Sequence, residues 1–480
     1  MEIFVRAYQD SDGDGVGDLR GLIQRLDYLR DLGVKGIWLM PITRSADGDH
    51  GYATTDFRSI DPVFGTLADF DDLIREAHAR GIGVIMDYVI NHSASTHPMF
   101  VSAAGGKEHP YRDWYVWQDS APAGWEIWGK NPWSMTANGA YFGTFGPHMP
   151  DFNFRNPAVV AYHQDSLRFW LNRGLDGYRL DAVPHLIENN AKDWNDQPES
   201  RRITHDLTQL ITGYGNRYTV CEATANPKDY AAPDLCGSAF AFGHQYNIVK
   251  AAQGDAKAVA DVAQYFSTAP LSMATMVSNH DIFAGKRLWD QVKGNQAQYR
   301  LAAATYLLQP GTPFIYYGEE IGMGGVAELE GDSPLRTPMS WTADRNRAGF
   351  TTGTPFRPIA PNVATHNAGA QRKDAKSLLA FYTSVLKVRN TVPSIAQGGY
   401  AAPWVQGKVY GFQRTLEKET SLVVINYGNR AANVAIAAGT PKTKWRPVFG
   451  AGKRPVAANA KGRLTISIPA QSVRVLVLKR

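Results

Sequence analysis

The stretch Gly83-Val-Ile-Met-Asp-Tyr-Val-Ile-Asn-His92 is mostly apolar, carries one aspartate near its middle, and ends in polar side chains. It follows an amphipathic segment of helical length, Leu67–Arg80. Short apolar runs of this kind are typical of strands that are buried on both faces. On either side of it, up to residue 392, the chain repeats this alternation of apolar run and helical stretch. The pattern predicts an α/β fold in which helices connect parallel strands.

Eight apolar runs fit this pattern, and helical periodicity appears between them. Eight parallel strands with intervening helices predict a closed (β/α)8 TIM barrel. The predicted strands are Ile3–Val5, Gly36–Met40, Gly83–Tyr88, Gly174–Leu180, Arg217–Cys221, Gly237–Phe240, Ser272–Val277 and Pro313–Tyr316. The predicted helices are Leu19–Leu32, Leu67–Arg80, Ala158–Arg173, Gln296–Leu308 and Lys376–Arg389.

Two parts of the chain do not follow the barrel pattern. Residues 93–153, after the third strand, are too many for an ordinary loop and are rich in Trp, Gly and Pro, so we expect a small excursion domain there. From Pro393 onward, period-two runs without helices predict a C-terminal antiparallel β-sandwich. The predicted domains are the barrel (1–92 and 154–392), the excursion domain (93–153) and the sandwich (393–480). The strands predicted in the sandwich are Val409–Arg414, Ser421–Tyr427, Ala432–Ala437, Arg463–Ile468 and Ser472–Leu478.

Composition and charge exclude several classes of protein. With 44% hydrophobic and 20% charged residues, the chain resembles an ordinary globular protein, and no apolar run reaches the roughly 18 residues of a membrane span. The net charge of +5 is unevenly distributed: after Pro393, 14 Lys and Arg accompany two acids, a balance of +12, whereas the preceding residues carry about −7. Because no Arg-rich stripe or nucleic-acid motif accompanies it, we expect a solvated basic face and no nucleic-acid partner. The two cysteines, Cys221 and Cys236, allow either free thiols or one disulfide.

Barrel enzymes carry their working residues at the carboxyl ends of the strands. Here four predicted strands are followed by carboxylate, imidazole or guanidinium side chains, which places three carboxylates on one rim. A single acid at a strand end is ordinarily a cap or an ion pair, whereas three in order around a barrel rarely arise by chance. The segments are Asp87-Tyr-Val-Ile-Asn91-His92, Gly177-Tyr-Arg179-Leu-Asp181-Ala-Val-Pro-His185, Val220-Cys-Glu222 and Val277-Ser-Asn279-His280-Asp281.

Carboxylates grouped in this way suit glycoside hydrolysis. In a retaining enzyme one carboxylate attacks the anomeric carbon, while a second, about 5 Å away, protonates the departing oxygen and later activates water. Arg179 lies two residues before Asp181, so both side chains face the same side of the strand and the arginine can keep the aspartate ionised. The acid must retain its proton near neutral pH, which burial and neighbouring negative charge favour.

The four segments resemble, in order, the four diagnostic segments of glycoside hydrolase family 13, the α-amylase superfamily. Met149-Pro-Asp-Phe-Asn153 resembles the family's segment that closes the excursion domain, and His50-Gly-Tyr52 resembles its sugar-stacking tyrosine motif. The resemblance covers essentially the whole chain and places it between the α-amylases and the oligo-1,6-glucosidase/trehalose synthase group. It implies a retaining glycosidase that acts on α-glucans.

The resemblance also implies roles for matching residues. Asp181 matches the nucleophile, Glu222 the general acid/base, and Asp281 a third carboxylate that helps to distort the bound sugar. Asp87 matches a buried structural aspartate. Five of the twelve tryptophans lie within Trp114–Trp133, where they either pack together or stack on sugar rings. The residues that match sugar-binding positions are Asp49, Tyr52, His92, Arg179, His185 and His280.

The segment Asp10-Ser-Asp-Gly-Asp-Gly-Val-Gly-Asp18 places oxygen ligands at every second residue with glycines between them, which is how a loop wraps Ca²⁺. The twelfth position, where an EF-hand has a bidentate glutamate, is Gly21, so the loop is EF-hand-like but incomplete. Because four acids this close would otherwise repel one another, we expect a structural calcium ion; the alternative is a solvated acidic turn. The expected ligands are Asp10, Asp12, Asp14, Val16 and Asp18.

A second calcium site is left open by the sequence. In α-amylases, residues that match Asn91, Asp151 and the carbonyl group of His185 bind a calcium ion between the barrel and the excursion domain. In relatives without this ion, the same residues form hydrogen bonds. The sequence does not decide between the two arrangements.

The specificity features divide between two groups of relatives. Pro184 and the segment Arg336–Trp341 resemble α-glucosidases and trehalose synthases, and Asp49 matches an aspartate that grips the non-reducing end of the sugar. The main prediction is nevertheless an α-amylase type of enzyme that cleaves α-1,4-glucosidic bonds in starch or maltodextrins. The alternatives are an exo-acting α-glucosidase or transglucosidase, a trehalose synthase-type isomerase and, more remotely, a non-catalytic carbohydrate-binding or partner protein. The amylase-like residues are Met149, Ala182 and His185.

The chain enters an apparent strand directly after Met1, and no signal peptide is recognisable. A calcium site and a polymeric substrate favour a periplasmic or extracellular location for a processed chain, although a cytoplasmic protein would begin in the same way. We expect a monomer whose partner is its α-glucan or oligosaccharide substrate.

Overall fold

The computed structural model describes residues 1–437, 441–452 and 454–479. The chain forms two compact units. The first comprises Met1–Asp12, Val16–Asp27 and Lys35–Phe240, and the second comprises Gly13–Gly15, Tyr28–Val34 and Ala241–Arg480. The domain boundaries expected from the sequence stay predictions. Within the described ranges, no helix has both the length and the apolar character needed to cross a membrane.

The first unit alternates strands with helices. Its strands are β1 (Glu2–Ile3), β2 (Gly36–Leu39), β3 (Thr43–Ser45), β4 (Thr54–Ile60), β5 (Gly83–Tyr88), β6 (Trp117–Gln118), β7 (Trp133–Thr136), β8 (Gly139–Phe142), β9 (Gly177–Leu180) and β10 (Tyr218–Cys221). The helices of this part of the chain are α1 (Leu19–Gln24), α2 (Leu26–Leu32), α3 (Leu67–Ala79), α4 (Pro98–Ala104), α5 (Pro157–Leu171), α6 (Pro198–Thr212) and α7 (Pro227–Tyr230).

A five-stranded parallel sheet with the order β1-β2-β5-β9-β10 forms the core of the first unit. These strands occupy the first five positions predicted from the apolar runs. In the sheet register, Asp87 of β5 lies opposite Arg179 of β9, and Val220 of β10 lies opposite Arg179 on the other side. Because parallel strands end at a common edge, this register carries the residues after each strand to one place.

Helix α3 shows how local sequence sets the boundaries of these elements. Thr66 begins the helix with a capping box, in which its side chain accepts from the backbone N–H of Asp69 and the Asp69 carboxylate accepts from that of Thr66. The predicted long helix Leu19–Leu32 is instead interrupted at Arg25, which leaves the helical conformation and donates from Nε to Gln9 at 2.7 Å. The apolar stripe predicted that this segment is helical but not that it is broken into two helices.

The segment after β5 contains a small three-stranded antiparallel sheet with the order β6-β8-β7. Its core consists of Ile127, Trp133, Ala140 and Phe142, against which Trp125 packs. Two of the clustered tryptophans of this segment, Trp125 and Trp133, are therefore packing residues. Trp128 differs, because 62% of its surface is exposed.

The second unit holds the remaining elements. Its strands are β11 (Ala274–Thr275), β12 (Thr312–Pro313), β13 (Gly399–Gln406), β14 (Val409–Leu416), β15 (Glu419–Asn426), β16 (Ala432–Ala437), β17 (Lys444–Phe449), β18 (Val456–Ala457), β19 (Arg463–Ile468) and β20 (Ser472–Lys479). Its helices are α8 (His244–Ala252), α9 (Ala256–Thr268), α10 (Leu288–Gln291), α11 (Gln296–Leu308), α12 (Ala368–Gln371), α13 (Leu378–Thr391) and α14 (Pro393–Gln397).

The C-terminal strands form two antiparallel layers. One has the order β13-β14-β15-β20-β17-β18 and the other pairs β16 with β19. Side chains of both layers, such as Leu422 and Ile466, share one buried cluster that includes Trp445. The sequence prediction missed β13 and β17, which contain Pro403 and Pro447; proline breaks the strand pattern, and it is tolerated at the sheet edge and at an irregular register.

The predicted strand Gly237–Phe240 is reduced to a single parallel bridge between Ala239 and Cys221. The segment is held there by a disulfide between Cys221 and Cys236. Both cysteines are fully buried, and Thr219 Oγ1 donates to the Cys236 carbonyl at 2.6 Å. Since Glu222 follows Cys221 directly, the bridge closes the loop that begins at this acid.

We predict that replacing both cysteines (Cys221→Ala with Cys236→Ala) lowers the free energy of unfolding by about 3 kcal/mol, the entropic value of closing a loop of about 15 residues. Urea unfolding of wild type and double variant without reductant measures the difference. With strong reductant in the denaturant, the difference should largely vanish. Equal unfolding midpoints without reductant, or two free thiols in unfolded and unreduced wild type, would contradict the assignment.

Candidate active site

A buried guanidinium group holds three carboxyl groups together at the edge of the parallel sheet. Arg179 is only 1% exposed, and its Nη1 atom donates to Asp87 Oδ1 at 2.9 Å and also to Asp181 Oδ1. Its Nη2 atom lies 2.8 Å from Glu222 Oε2. The four residues come from β5, β9 and β10 or follow them directly, so the register of the sheet aligns them. The structure thus brings together two of the predicted catalytic acids and the predicted arginine.

One cation faces three acids in this cluster, which limits how many of them can be ionised. Burial alone would lower the pKa of Arg179, but attraction by Asp87 and Glu222 outweighs it and raises this pKa well above its ordinary value. Burial is also the largest effect on Asp181 and raises its pKa, although Arg179 pulls it down. A hydrogen bond with Glu222 lowers the Asp181 pKa further. One guanidinium group therefore has to compensate three buried acids, which disfavours the ionisation of all three at once.

Asp87 accepts hydrogen bonds from several other groups of the protein. Besides Arg179, Tyr52 donates from its hydroxyl to Asp87 Oδ2 at 2.9 Å, and Trp38 donates from Nε1 to the same atom at 3.3 Å. The aspartate therefore orients Tyr52 and Arg179, and its side chain is fully buried. Trp38 was not selected from the sequence, since a tryptophan inside an apolar strand carries no sign of a polar role.

Two of the predicted sugar-binding histidines are buried and neutral. Burial lowers the pKa of His92 to about 3 and that of His185 to about 4. His92 Nε2 lies 3.1 Å from the carbonyl oxygen of Tyr52, so the histidine is held against the loop that contains this tyrosine. Neutral imidazoles suit hydrogen bonding to uncharged hydroxyl groups.

The backbone of the loop that carries Asp49 and Tyr52 is held by hydrogen bonds to one aspartate. Asp47 Oδ1 accepts from the backbone N–H groups of Asp49 and Gly51, at 3.1 and 2.8 Å, and its Oδ2 accepts from that of Ala53 at 3.0 Å. Arg6 donates from Nε to the carbonyl oxygen of Asp49 at 3.0 Å. Asp49 is therefore held in a defined conformation three residues before Tyr52.

The third predicted carboxylate, Asp281, belongs to the second unit and has its own partners there. His280 Nε2 lies 3.1 Å from Asp281 Oδ2, and Arg336 donates from Nη2 to Asp281 Oδ1 at 2.9 Å. Arg336 also donates from Nε to the carbonyl oxygen of His280 at 2.9 Å. This arginine is 3% exposed and orients both predicted residues. The sequence marked its segment but not this role, because the partners are 55 residues apart.

Part of the predicted calcium loop forms an acidic group. Asp10, Asp12 and Asp18 each bring a carboxylate oxygen to within 4.8 Å of the others. Carboxylate oxygens are hard donors of the kind that Ca²⁺ prefers. Asp14, another expected ligand, is not one of the carboxylates of this group.

The residues of the second expected calcium site are buried. Asp151 is held by Thr144, whose Oγ1 donates to Oδ2 at 2.6 Å, and burial raises the Asp151 pKa to about 7. Asn91 is buried beside Asp151, and its side chain lowers this pKa. Glu188, which the sequence analysis did not select, is also buried, and its pKa is raised by burial and by the charge of Asp151.

Residues 2–398 match the profile of the alpha amylase catalytic domain family. The chain therefore belongs to the α-amylase family of glycoside hydrolases, and it is a glycosidase. This confirms the family expected from the strand-end motifs.

Relatives with several activities lie at similar distances from this chain. It is 34% identical over 454 residues to the trehalose synthase/amylase TreS of Mycobacterium tuberculosis, covering 83% of this chain and 75% of that protein. It is 30% identical over 504 residues to the oligo-1,6-glucosidase of Parageobacillus thermoglucosidasius, covering 89% of each. The crystal structure of an α-amylase from H. orenii aligns with a TM-score of 0.84 and 32% identity, covering 100% of this chain and 98% of that one. The predicted fold class, a (β/α)8 barrel with a C-terminal antiparallel sheet domain, is confirmed by this likeness.

Proposed function

We propose that the protein cleaves α-1,4-glucosidic bonds with retention in short maltooligosaccharides, and that it binds the non-reducing end of its substrate. The observation that carries the proposal is the buried cluster in which Arg179 holds Asp181 and Glu222 together beside the stapled Asp49 loop. The amylase-like residues of the sequence favour an α-amylase as the main prediction. The names of the relatives support the α-glucosidase and trehalose synthase alternatives at least as well, and the Asp49 loop supports an exo-acting enzyme.

In the proposed mechanism, Asp181 attacks the anomeric carbon while Glu222 donates its proton to the departing glucosidic oxygen. The bond to that oxygen breaks, and the glucosyl unit becomes an ester of Asp181. Glu222, now a carboxylate, takes a proton from water or from the hydroxyl group of an acceptor sugar. The activated oxygen attacks the same carbon and releases Asp181, so two inversions give net retention.

The remaining residues would bind and orient the sugar. Tyr52 presents its ring beside the cluster, and the neutral His92 offers hydrogen bonds to hydroxyl groups. Asp281, oriented by His280 and Arg336, would accept hydrogen bonds from the sugar hydroxyls and favour a distorted ring. Each of these roles follows from the family resemblance together with the contacts described above.

Asp49 would decide between exo and endo action. A carboxylate accepts two hydroxyl hydrogen bonds at once, which suits the end of a glucan better than a position within it. Asp47 and Arg6 hold the Asp49 backbone, so little ordering is needed when substrate binds. A fixed carboxylate at this position would close the cleft at the non-reducing end.

Endo-acting hydrolysis of starch is the second candidate. It is favoured by His185, which is amylase-like and lies buried on the turn after Asp181, and by the likeness to the H. orenii α-amylase.

A product time course on soluble starch, maltotriose and maltose tests the proposal, with the first anomer read by NMR. We expect α-glucose mainly from the short substrates, slow loss of starch viscosity, and no cleavage of a maltoheptaoside whose non-reducing end is blocked. The same maltoheptaoside with a free end is the matched control. Rapid loss of viscosity with cleavage of the blocked substrate would establish the endo candidate, trehalose from maltose the isomerase, and a β-configured product would contradict retention.

We further propose that Asp10, Asp12 and Asp18 hold a structural Ca²⁺ ion, with Asp14 and the Val16 carbonyl as additional ligands. Asp18 also begins α1 by accepting from the backbone N–H of Gly21, so the ion would stabilise the start of this helix. A second ion could be held by Asn91, Asp151 and the His185 carbonyl, because these residues are buried and Asp151 is an acid that a cation would keep ionised. The ion would supply structural stabilisation and take no part in the reaction.

We predict that EDTA lowers the melting temperature of the wild type and that added Ca²⁺ restores it, because an ion that binds only the folded state stabilises it. Asp12→Asn should have a lower melting temperature that responds less to EDTA, whereas Asp165→Asn, an exposed acid outside the group, should behave as the wild type. Elemental analysis gives the metal content. A melting temperature that is unchanged by EDTA, in protein that contains no metal, would refute the site.

The disulfide between two buried cysteines supports an oxidising location. We therefore propose that the protein works in the periplasm or outside the cell.

A further inference from the structure

An exposed tryptophan lies in a turn whose backbone conformation disfavours bulky side chains. Ile127 and Lys130 exchange both backbone hydrogen bonds, at 2.8 and 2.9 Å, across a two-residue turn formed by Trp128 and Gly129. Both turn residues have positive φ, 49° and 77°, as in a type I′ turn. Asn, Asp and Gly are favoured at the first of these positions, whereas a bulky side chain there is strained. The turn alone does not explain a tryptophan.

The fold does not explain it either. Trp128 is 62% exposed, while its neighbours Ile127 and Trp133 fill the core of the small sheet. An aromatic ring left in water costs free energy that burial would recover. Residues held in a strained backbone conformation are concentrated at functional sites.

Neighbouring rings hold the indole in one plane. Trp128 lies nearly perpendicular to His185 and to Trp194, with ring centroids 5.6 Å apart in each case, and is tilted by 41° against Phe145 at 5.6 Å. His185 and Trp194 stack in parallel at 5.4 Å. The four residues form an aromatic rim that fixes the orientation of Trp128 while most of its surface stays open.

The aromatic rim is tied to the proposed acid. The turn that carries His185 begins at Ala182, whose backbone N–H donates to Glu222 Oε2 at 3.1 Å. Glu222 must lie next to the glucosidic oxygen that leaves, because it protonates this oxygen. Trp128 lies beside this turn, so its ring is a candidate for contact with a sugar unit on the leaving-group side.

We propose that Trp128 stacks on the glucose unit at the leaving-group side of the scissile bond and, after the first step, on the incoming acceptor sugar. This rests on the proposed function. The face of a glucopyranose ring presents C–H groups that pack on an indole, so the tryptophan binds the sugar without hydrogen bonds and tolerates either a hydrolytic leaving group or a transfer acceptor. Trp128 is thus a specificity residue for the length of the substrate and for transfer.

Two substrates separate this role from the chemistry. Maltotriose places sugar units on the leaving-group side, whereas α-glucosyl fluoride has only a fluoride ion there. For Trp128→Asn, which suits the turn, and for Trp128→Ala, we expect kcat/KM for maltotriose to fall about tenfold, the loss of a good aromatic contact. We expect kcat/KM for α-glucosyl fluoride to stay within about twofold of wild type, since the contact is absent there. Glucosyl transfer to maltose should fall relative to hydrolysis.

Trp128→Phe should recover part of the loss, and Met135→Ala, which removes a comparably exposed side chain (61%) from the same sheet, should change neither substrate. The melting temperature of Trp128→Asn should equal or exceed that of the wild type, so poor folding would not explain its loss. Wild-type rates on maltotriose, or an equal loss on both substrates, would overturn the proposal. A wild type that cleaves α-glucosyl fluoride but not maltotriose would overturn the proposed function, whereas wild-type cleavage of both tests Trp128 alone.

Discussion

The ion pairs of Arg179 with Asp87, Asp181 and Glu222 are the interaction on which the proposed site depends. One guanidinium group, shielded from water, compensates three acids that burial would otherwise neutralise. Removing one member of a buried ionic cluster of this kind ordinarily costs about 3–5 kcal/mol, because the partners are left without compensation. The parallel sheet makes the cluster possible, since Asp87 and Arg179 are register partners on adjacent strands. Stability and proposed chemistry therefore rest on the same contacts.

The burial of this cluster also bears on the proposed reactivity of its acids. Three acids share one positive charge, which disfavours the ionisation of all three at once. The disulfide at Cys221 and the backbone N–H of Ala182 then restrict the position of Glu222. A proton donor that is held in place needs little reorganisation during the reaction.

Much of this architecture was predictable from residue patterns. Helix α11 begins and ends at the predicted residues Gln296 and Leu308, and the strand-end acids were found because apolar runs of the parallel sheet stop at a common edge. Features that depend on distant partners were not predictable. Arg336 contacts Asp281 across 55 residues of sequence. The strands β13 and β17 contain proline and so lack the alternating strand pattern, yet both pair with neighbouring strands of the sheet. Tertiary packing overrides local preference at these places.

The tryptophans, too, include a feature that the sequence predicts and one that only the structure reveals. Their clustering predicted either packing or sugar stacking, and burial separates the two: Trp133 fills a core, whereas Trp128 remains exposed on a strained turn. Sequence alone treats both as aromatic residues in a loop. The conformation of the turn and the neighbouring rings distinguish the residue that is available to a ligand.

In the proposed reaction, Asp181 forms a covalent glucosyl ester whose formation and hydrolysis depend on Glu222. Mass spectrometry of Glu222→Gln after incubation with α-glucosyl fluoride tests it, because fluoride leaves without an acid while the second step lacks its base. The account predicts one added glucosyl unit on the peptide that contains Asp181, and none when Asp181→Asn is added. An adduct on another residue, or direct release of β-glucose without an adduct, would contradict it.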